Sequence, residues 1–179
     1  MKVVYEDNHI IIVSKASGEI VQGDKTGDTP LSDTVKAYLK GKYQKPGNVF
    51  LGVAHRLDRP VWGLVVFAKT SKALSRLNDM FRDGSVHKTY WAITKKRDIP
   101  AQGTLEHWLV RNERQNKTYA YDHEVPKSKK ATLRYRLLSQ SDNYMLLEIQ
   151  LLTGRHHQIR CQLAAMGCPI KGDLKYGAQ

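Results

Sequence analysis

Three short segments place reactive side chains where apolar, strand-like runs break off. The first is His55-Arg56-Leu57-Asp58-Arg59-Pro60, followed by Val61-Trp62-Gly63-Leu64. The second is Lys88-Thr89-Tyr90-Trp91-Ala92, and the third is Thr153-Gly154-Arg155-His156-His157-Gln158-Ile159-Arg160. Asp58 is the carboxylate of the set, able in principle to act as nucleophile or base. Taken singly, each residue has a plainer use: an aspartate before Arg-Pro forms turns, a tyrosine in a strand packs, and an arginine after glycine is a surface charge. His55, His156 and His157, with Asp58, raise the question of a metal. Adjacent histidines on a helix point about 100° apart, so His156 and His157 would not share one ion, and no metal site is expected.

The chain of 179 residues is long enough for one ordinary domain, and 41% hydrophobic with 26% charged residues is a globular profile. Lys and Arg total 29 against 17 acidic residues, a net charge of +12. A field of that sign favours a polyanionic partner, nucleic acid first, over a surface that is merely solubilising. Arg56, Arg59, Lys88 and Arg160 suit nearby phosphates, and the Lys127–Lys130 cluster suits phosphates further out or a solvated loop. Runs such as Ile10–Val13 and Gly63–Ala68 are too short to span a bilayer, and Met1-Lys2-Val3 leads into a strand with no signal-peptide core, so a cytoplasmic protein is expected. The two cysteines, Cys161 and Cys168, lie seven apart, about 10 Å along a helix, too far for a disulfide. They read as structural thiols.

The elements that must hold these residues follow from periodicity. Val3–Tyr5 and His9–Val13 read as strands around the turn Glu6-Asp7-Asn8. Thr29-Pro30 reads as an N-cap with proline at the first helical position, and Leu31, Val35, Tyr38 and Leu39 follow at helical spacing up to Gly41. Lys40–Asn48 reads as an exposed loop. Strand-like runs cover Val49–Leu57 and Gly63–Ala68, with Asp58 at a strand end on a tight connection. Ser71 is expected to cap a helix bearing Leu74, Leu77, Met80 and Phe81, closed by Gly84, and Lys88–Thr94 follows as a strand. Leu133, Tyr135 and Leu137, then Met145, Leu147, Ile149 and Leu151, alternate with period two around an Asp142-Asn143 turn. A short helix carrying Ile159, Leu163 and Met166 is expected to start near Gly154-Arg155. The fold class is α+β, with a mixed, largely antiparallel sheet and flanking helices.

Together the segments resemble the signature motifs of the RluA-type family of RNA pseudouridine synthases. The carriers are HRLD with a glycine five residues after Asp58, then K-x-Y-x-A, then GR-x-HQIR, in the family's order and near its spacing. The opening YEDNHIIIVSK and closing PIKGDLKYG are similar to the family's flanks. The resemblance implies a single catalytic domain over 1–179 around an RNA-binding cleft, without an S4-like module and short of the family's usual C-terminal end. It implies that Asp58 is the catalytic aspartate, Tyr90 the aromatic residue against the target uracil, and Arg155 the basic residue paired with the aspartate. Arg56, Arg59, Lys88, His157, Gln158 and Arg160 are the expected substrate-binding set.

The implied reaction breaks the N1–C1′ bond of a uridine and rejoins the uracil through C5. It has no net redox change, and no cofactor is expected. A free aspartate is charged at neutral pH, so Arg155 is better suited to orienting the carboxylate and offsetting its burial than to creating its charge. The uridine must leave its stack, and a tyrosine face is worth about 1–3 kcal/mol to a stacked base. The expected partner is ribosomal or transfer RNA, bound by a monomer. Three departures from the family's pattern stand out: Val61-Trp62 replaces Thr-Ser, His156 stands for a threonine, and the chain ends short of the family's usual C-terminal end. They motivate an alternative, a degenerate homologue that binds structured RNA without modifying it.

Overall fold

Period-two alternation sets most of the framework. The computed structural model describes residues 1–178, and the chain divides into two compact units, the first ending at Ser85 and the second starting at Val86. In the first unit β1 (Lys2–Glu6), β2 (Ile10–Lys15), β3 (Gly52–Val53) and β4 (Gly63–Ala68) form an antiparallel sheet in the order β1-β2-β4-β3. Ile11 and Val13 of β2 stand opposite Phe67 and Val65 of β4. These four side chains meet Leu31, Val35 and Leu39, one stripe of α1 (Leu31–Lys42), in a fully buried core.

α1 begins one residue later than its proline suggests. Pro30 is itself the N-cap, in extended conformation. The first free N–H groups, those of Leu31 and Ser32, donate to the carbonyls of Ile20 and Val21, so no side-chain cap is used. For α2 (Ser71–Asp83) the cap is Thr70 rather than Ser71, its hydroxyl accepting from the Ala73 N–H, and Gly84 closes the helix in the left-handed region. The strand expected over Val49–Leu57 shrinks to Gly52–Val53, because only that dipeptide pairs with β4. Asp58 therefore lies inside an irregular stretch and not at a strand end.

The second unit is a five-stranded antiparallel sheet in the order β5-β9-β8-β6-β7, formed by β5 (Lys88–Lys95), β6 (Gln102–Asn112), β7 (Lys117–Tyr121), β8 (Lys129–Gln140) and β9 (Tyr144–Leu151). The α+β class holds, and every strand pairing in both sheets is antiparallel. One face of the second sheet, carrying Ala92, Leu133, Tyr135, Met145, Leu147 and Ile149, is buried with Leu163 of α3 (Gln158–Ala165). The hairpin β6–β7, turning at Glu113–Asn116, is an element that the periodicity had not revealed. α3 starts at Gln158 and not near Arg155, because His157 before it takes the left-handed backbone conformation (φ 51°).

Candidate active site

Asp58 lies half-buried between β3 and β4, on a loop whose backbone is tied down from Asp58 to Val61. Its own carbonyl accepts from the Val61 N–H at 3.0 Å, closing a turn over Arg59-Pro60. The ammonium of Lys15 donates to the carbonyls of Ala16 (3.1 Å), Arg59 (3.0 Å) and Val61. Ser17 Oγ donates to the Pro60 carbonyl at 2.8 Å, and the Gly18 N–H to that of Arg59 at 2.8 Å. On the other side of the aspartate, His55 Nε2 accepts from the Val66 N–H at 3.0 Å, and its ring lies against Phe81. A loop stitched in this way is stiff, which a positioned carboxylate requires.

Lys15 is the organiser of this loop, and the sequence alone gave it no role. Its β2 neighbours on the same face, Ile11 and Val13, are core residues, and Lys15 is itself fully buried. A lysine at the inward position of an alternating strand must find acceptors inside, and here they are backbone carbonyls. Burial pulls its pKa below the ordinary lysine value, and the charges of Glu19 and Asp58 partly restore it. The alternation Ile11-Val13-Lys15 was the signal available for finding it.

Arg59 is committed within its own unit: its guanidinium meets Asp28 (2.7 Å), Asp24 (3.4 Å) and the Thr26 hydroxyl (2.8 Å). Arg56 is exposed. Trp62 is 72% exposed, so the bulky pair Val61-Trp62 presents an indole to solvent.

In the second unit Tyr90 is half-buried on β5, opposite Ile149 of β9. It shares the α3 side of the sheet. Arg155 is exposed, and its Nε donates to the Lys130 carbonyl at 3.2 Å. The segment carrying it is set by Gln158, which is 3% exposed. Gln158 Oε1 accepts from the Arg155 N–H (3.0 Å) and the Thr153 hydroxyl (2.8 Å), while its Nε2 donates to the Thr132 carbonyl (3.1 Å). Gln158 is thus placed as a scaffold for Arg155. Lys88 lies beside the same segment, since a β-carbon on Gly154 would come within 3.0 Å of its Nζ. Burial holds the Lys88 ammonium below its usual pKa.

His156 and His157 do not lie on a helix. Their rings stack with centroids 3.8 Å apart. His156 meets the Thr118 hydroxyl (2.8 Å) and the Asn116 side-chain oxygen (3.2 Å); His157 meets the Tyr176 hydroxyl (2.9 Å) and Arg160 (2.9 Å). All four ring nitrogens therefore have hydrogen-bonding partners. Arg160 in turn makes a two-pronged contact with Asp173 at 2.7 and 2.9 Å. Among the described residues no cluster of three or more His, Cys, Asp or Glu side chains is arranged to hold a metal ion. Likewise no described helix is long and apolar enough to cross a membrane.

Comparison with known proteins matches residues 9–165 to the RNA pseudouridylate synthase family. The chain is 33% identical over 175 residues to ribosomal large subunit pseudouridine synthase C of Rickettsia prowazekii, covering 97% of this chain and 55% of that protein. It is 32% identical over 181 residues to ribosomal large subunit pseudouridine synthase D of Zymomonas mobilis, covering 99% and 56%. Among solved structures, human RNA pseudouridylate synthase domain containing 4 aligns with a TM-score of 0.83 at 26% identity, over 98% of this chain and 68% of that one. The chain thus spans about half the length of the curated relatives it matches.

Proposed function

The chain belongs to the RNA pseudouridylate synthase family, and from that premise we propose that it isomerises a specific uridine of ribosomal RNA to pseudouridine, with Asp58 as the catalytic carboxylate. The observation that carries this reading is the Lys15-latched loop, which holds an aspartate at the HRLD position of the motif on a stiff backbone. Ribosomal RNA is preferred to transfer RNA because the bacterial relatives are named for the large ribosomal subunit. Tyr90 supplies a face for the detached uracil, and Arg155 supplies positive charge for the reacting centre. Arg56 and Lys88 offer cations for phosphates, while Arg59, His157, Gln158 and Arg160 contribute chiefly by fixing backbone and neighbouring side chains. The cytoplasm is the proposed compartment, in keeping with two cysteines that are free and buried.

The non-catalytic alternative drew in part on Trp62, whose side chain stands in solvent and so does not fill the loop around Asp58. The test is pseudouridine mapping of bulk ribosomal and transfer RNA from a deletion strain, complemented with wild type or with Asp58→Asn. Wild type should restore one or a few sites and Asp58→Asn none, with RNA affinity retained by the variant. Full restoration by Asp58→Asn would remove Asp58 from the chemistry. Failure of wild type to restore any site would remove the enzymatic reading.

A further inference from the structure

The second sheet has two faces, and the reaction as proposed uses only the one that carries Tyr90. The opposite face is set by the strand register. Thr89, Gln150, Arg134 and Thr104 form one cross-strand row, and Trp91, Glu148, Arg136 and Gln102 form the next. Between β6, β8 and β9 a recess of about 440 Å³ is lined by Gln102, Thr104, Arg134, Arg136, Glu148 and Gln150 of these rows. Trp91, one strand further out, is 65% exposed, an unusual state for the most costly side chain to leave in water.

The chemistry of the recess is specific. Arg134 and Arg136 are both exposed and lie on one face of one strand, about 6.8 Å apart. That step is comparable with the step between successive phosphates of an extended strand of nucleic acid. Arg136 is held by Glu148 at 2.9 Å, whereas Arg134 makes no ion pair among the described residues. Gln102, Gln150 and Thr104 surround Arg134 with groups that both donate and accept, as base edges and ribose hydroxyls require. The exposed indole beside them supplies a stacking surface. An acidic peptide would use the two arginines but would leave the indole and the amides idle.

We propose that this open sheet face is a second RNA-binding surface, which takes a single-stranded segment with its phosphates on Arg134 and Arg136 and a base against Trp91. The inference rests on the reading of the chain as an RNA-modifying enzyme and adds to it a contact away from the reacting uridine.

The test is fluorescence anisotropy with a short fluorescein-labelled oligouridylate over a range of salt, using the full chain and the variants Arg134→Ala, Trp91→Ala and, as a charge control, Lys36→Ala. Lys36 is a partly exposed α1 lysine, its side chain 44% accessible and paired with Asp33. Arg134→Ala should weaken binding severalfold and lower the salt slope by about 0.7. Trp91→Ala should weaken binding by about tenfold with the slope unchanged, and Lys36→Ala should alter neither. Wild-type binding with both face variants unchanged would overturn the second surface while leaving the enzymatic reading intact. Displacement by polyglutamate as efficient as by unlabelled oligouridylate would overturn it in favour of an acidic protein partner. Self-association abolished by Arg134→Glu with RNA affinity unmoved would overturn it in favour of a second copy of the chain. If wild type binds no oligouridylate, the second surface falls, while the enzymatic reading is decided separately by the pseudouridine mapping.

Discussion

The ammonium of Lys15, at the end of β2, hydrogen-bonds the carbonyl of Val61, three residues beyond Asp58 and 46 residues along the chain from the lysine itself. The same ammonium takes the Arg59 carbonyl. The buried charge is therefore spent on the shape of the loop, and Asp58 depends for its placement on a residue that touches its neighbours' backbone.

Lys15→Met keeps most of the side-chain volume and removes the donor. Three carbonyls lose a partner, at a cost of about 2–4 kcal/mol in stability. We expect a lower unfolding midpoint, and a fall in kcat at a temperature where the variant is still folded, with KM for RNA close to wild type. Equal kcat in the folded variant would show that the loop holds its shape without the lysine.

Gln158→Ala should act on Arg155 in a similar way. Its amide serves the Thr153 hydroxyl, the Arg155 N–H and the Thr132 carbonyl from a nearly dry position. Truncation leaves buried groups unpaired, about 1–3 kcal/mol, and frees the Arg155 segment. Turnover should drop by at least tenfold and RNA affinity by little; Gln158→Glu, which keeps the acceptor but loses the donor to Thr132, should fall between wild type and alanine. A kinetic ranking in any other order would separate Gln158 from the positioning of Arg155.

Glu6 gives the first unit an acid-sensitive stabiliser. Burial alone would raise its carboxyl, but hydrogen bonds from Lys42, Tyr43 and Lys69 outweigh that and lower it from 4.5 to about 2. A carboxyl depressed in the folded state stabilises fully above its unfolded value and ceases to do so as pH falls toward the folded one. That amounts to roughly 3 kcal/mol lost between pH 4.5 and about 2. Urea midpoints measured across this window should fall steeply for wild type. For Glu6→Gln they should start lower at neutral pH and fall less. Parallel curves would assign the acid sensitivity to other groups.

Gly52 and Gly23 should respond differently to a methyl group. A β-carbon on Gly52 would come within 2.8 to 3.0 Å of Leu74, including that residue's own β-carbon, whereas one on Gly23 meets nothing within 4 Å. Gly52→Ala should destabilise by about 1–3 kcal/mol as β3 is forced off α2, and Gly23→Ala should be neutral or slightly stabilising. Thermal melts of the two variants side by side check this.

Much of the framework was legible because apolar residues alternate cleanly where strands have one buried face. Leu133–Leu137 and Met145–Leu151 are examples, the latter strand opening one residue earlier at Tyr144, while Gly63–Ala68 was legible as a short unbroken apolar run. The β6–β7 hairpin escaped because its inward positions include His107 and Gly103, which break an apolar count, and its turn Glu113–Asn116 carries charge in place of glycine or proline. The start of α3 was misplaced because left-handed backbone at a histidine has no sequence signature comparable to glycine. Asp58, Tyr90 and Arg155 could be picked out through motif order. No motif gave Lys15 or Gln158 a positioning role: an inward lysine on an alternating strand signals that acceptors must lie inside, but which ones, the Arg59 and Val61 carbonyls and for Gln158 the Thr132 carbonyl, only the fold shows.

Both cysteines of the chain are buried, unpaired and in the second unit, and burial raises the thiol of Cys161 to about 12. Alkylating reagents attack the thiolate, so the native second unit is almost inert to them. Each opening that exposes Cys161 or Cys168 becomes a chemical event that mass spectrometry can count, while the first unit, which has no cysteine, stays unmarked. The pair thus serves as a built-in clock for the opening of one half of the chain. Running it with and without bound RNA would measure how much the ligand slows that half alone.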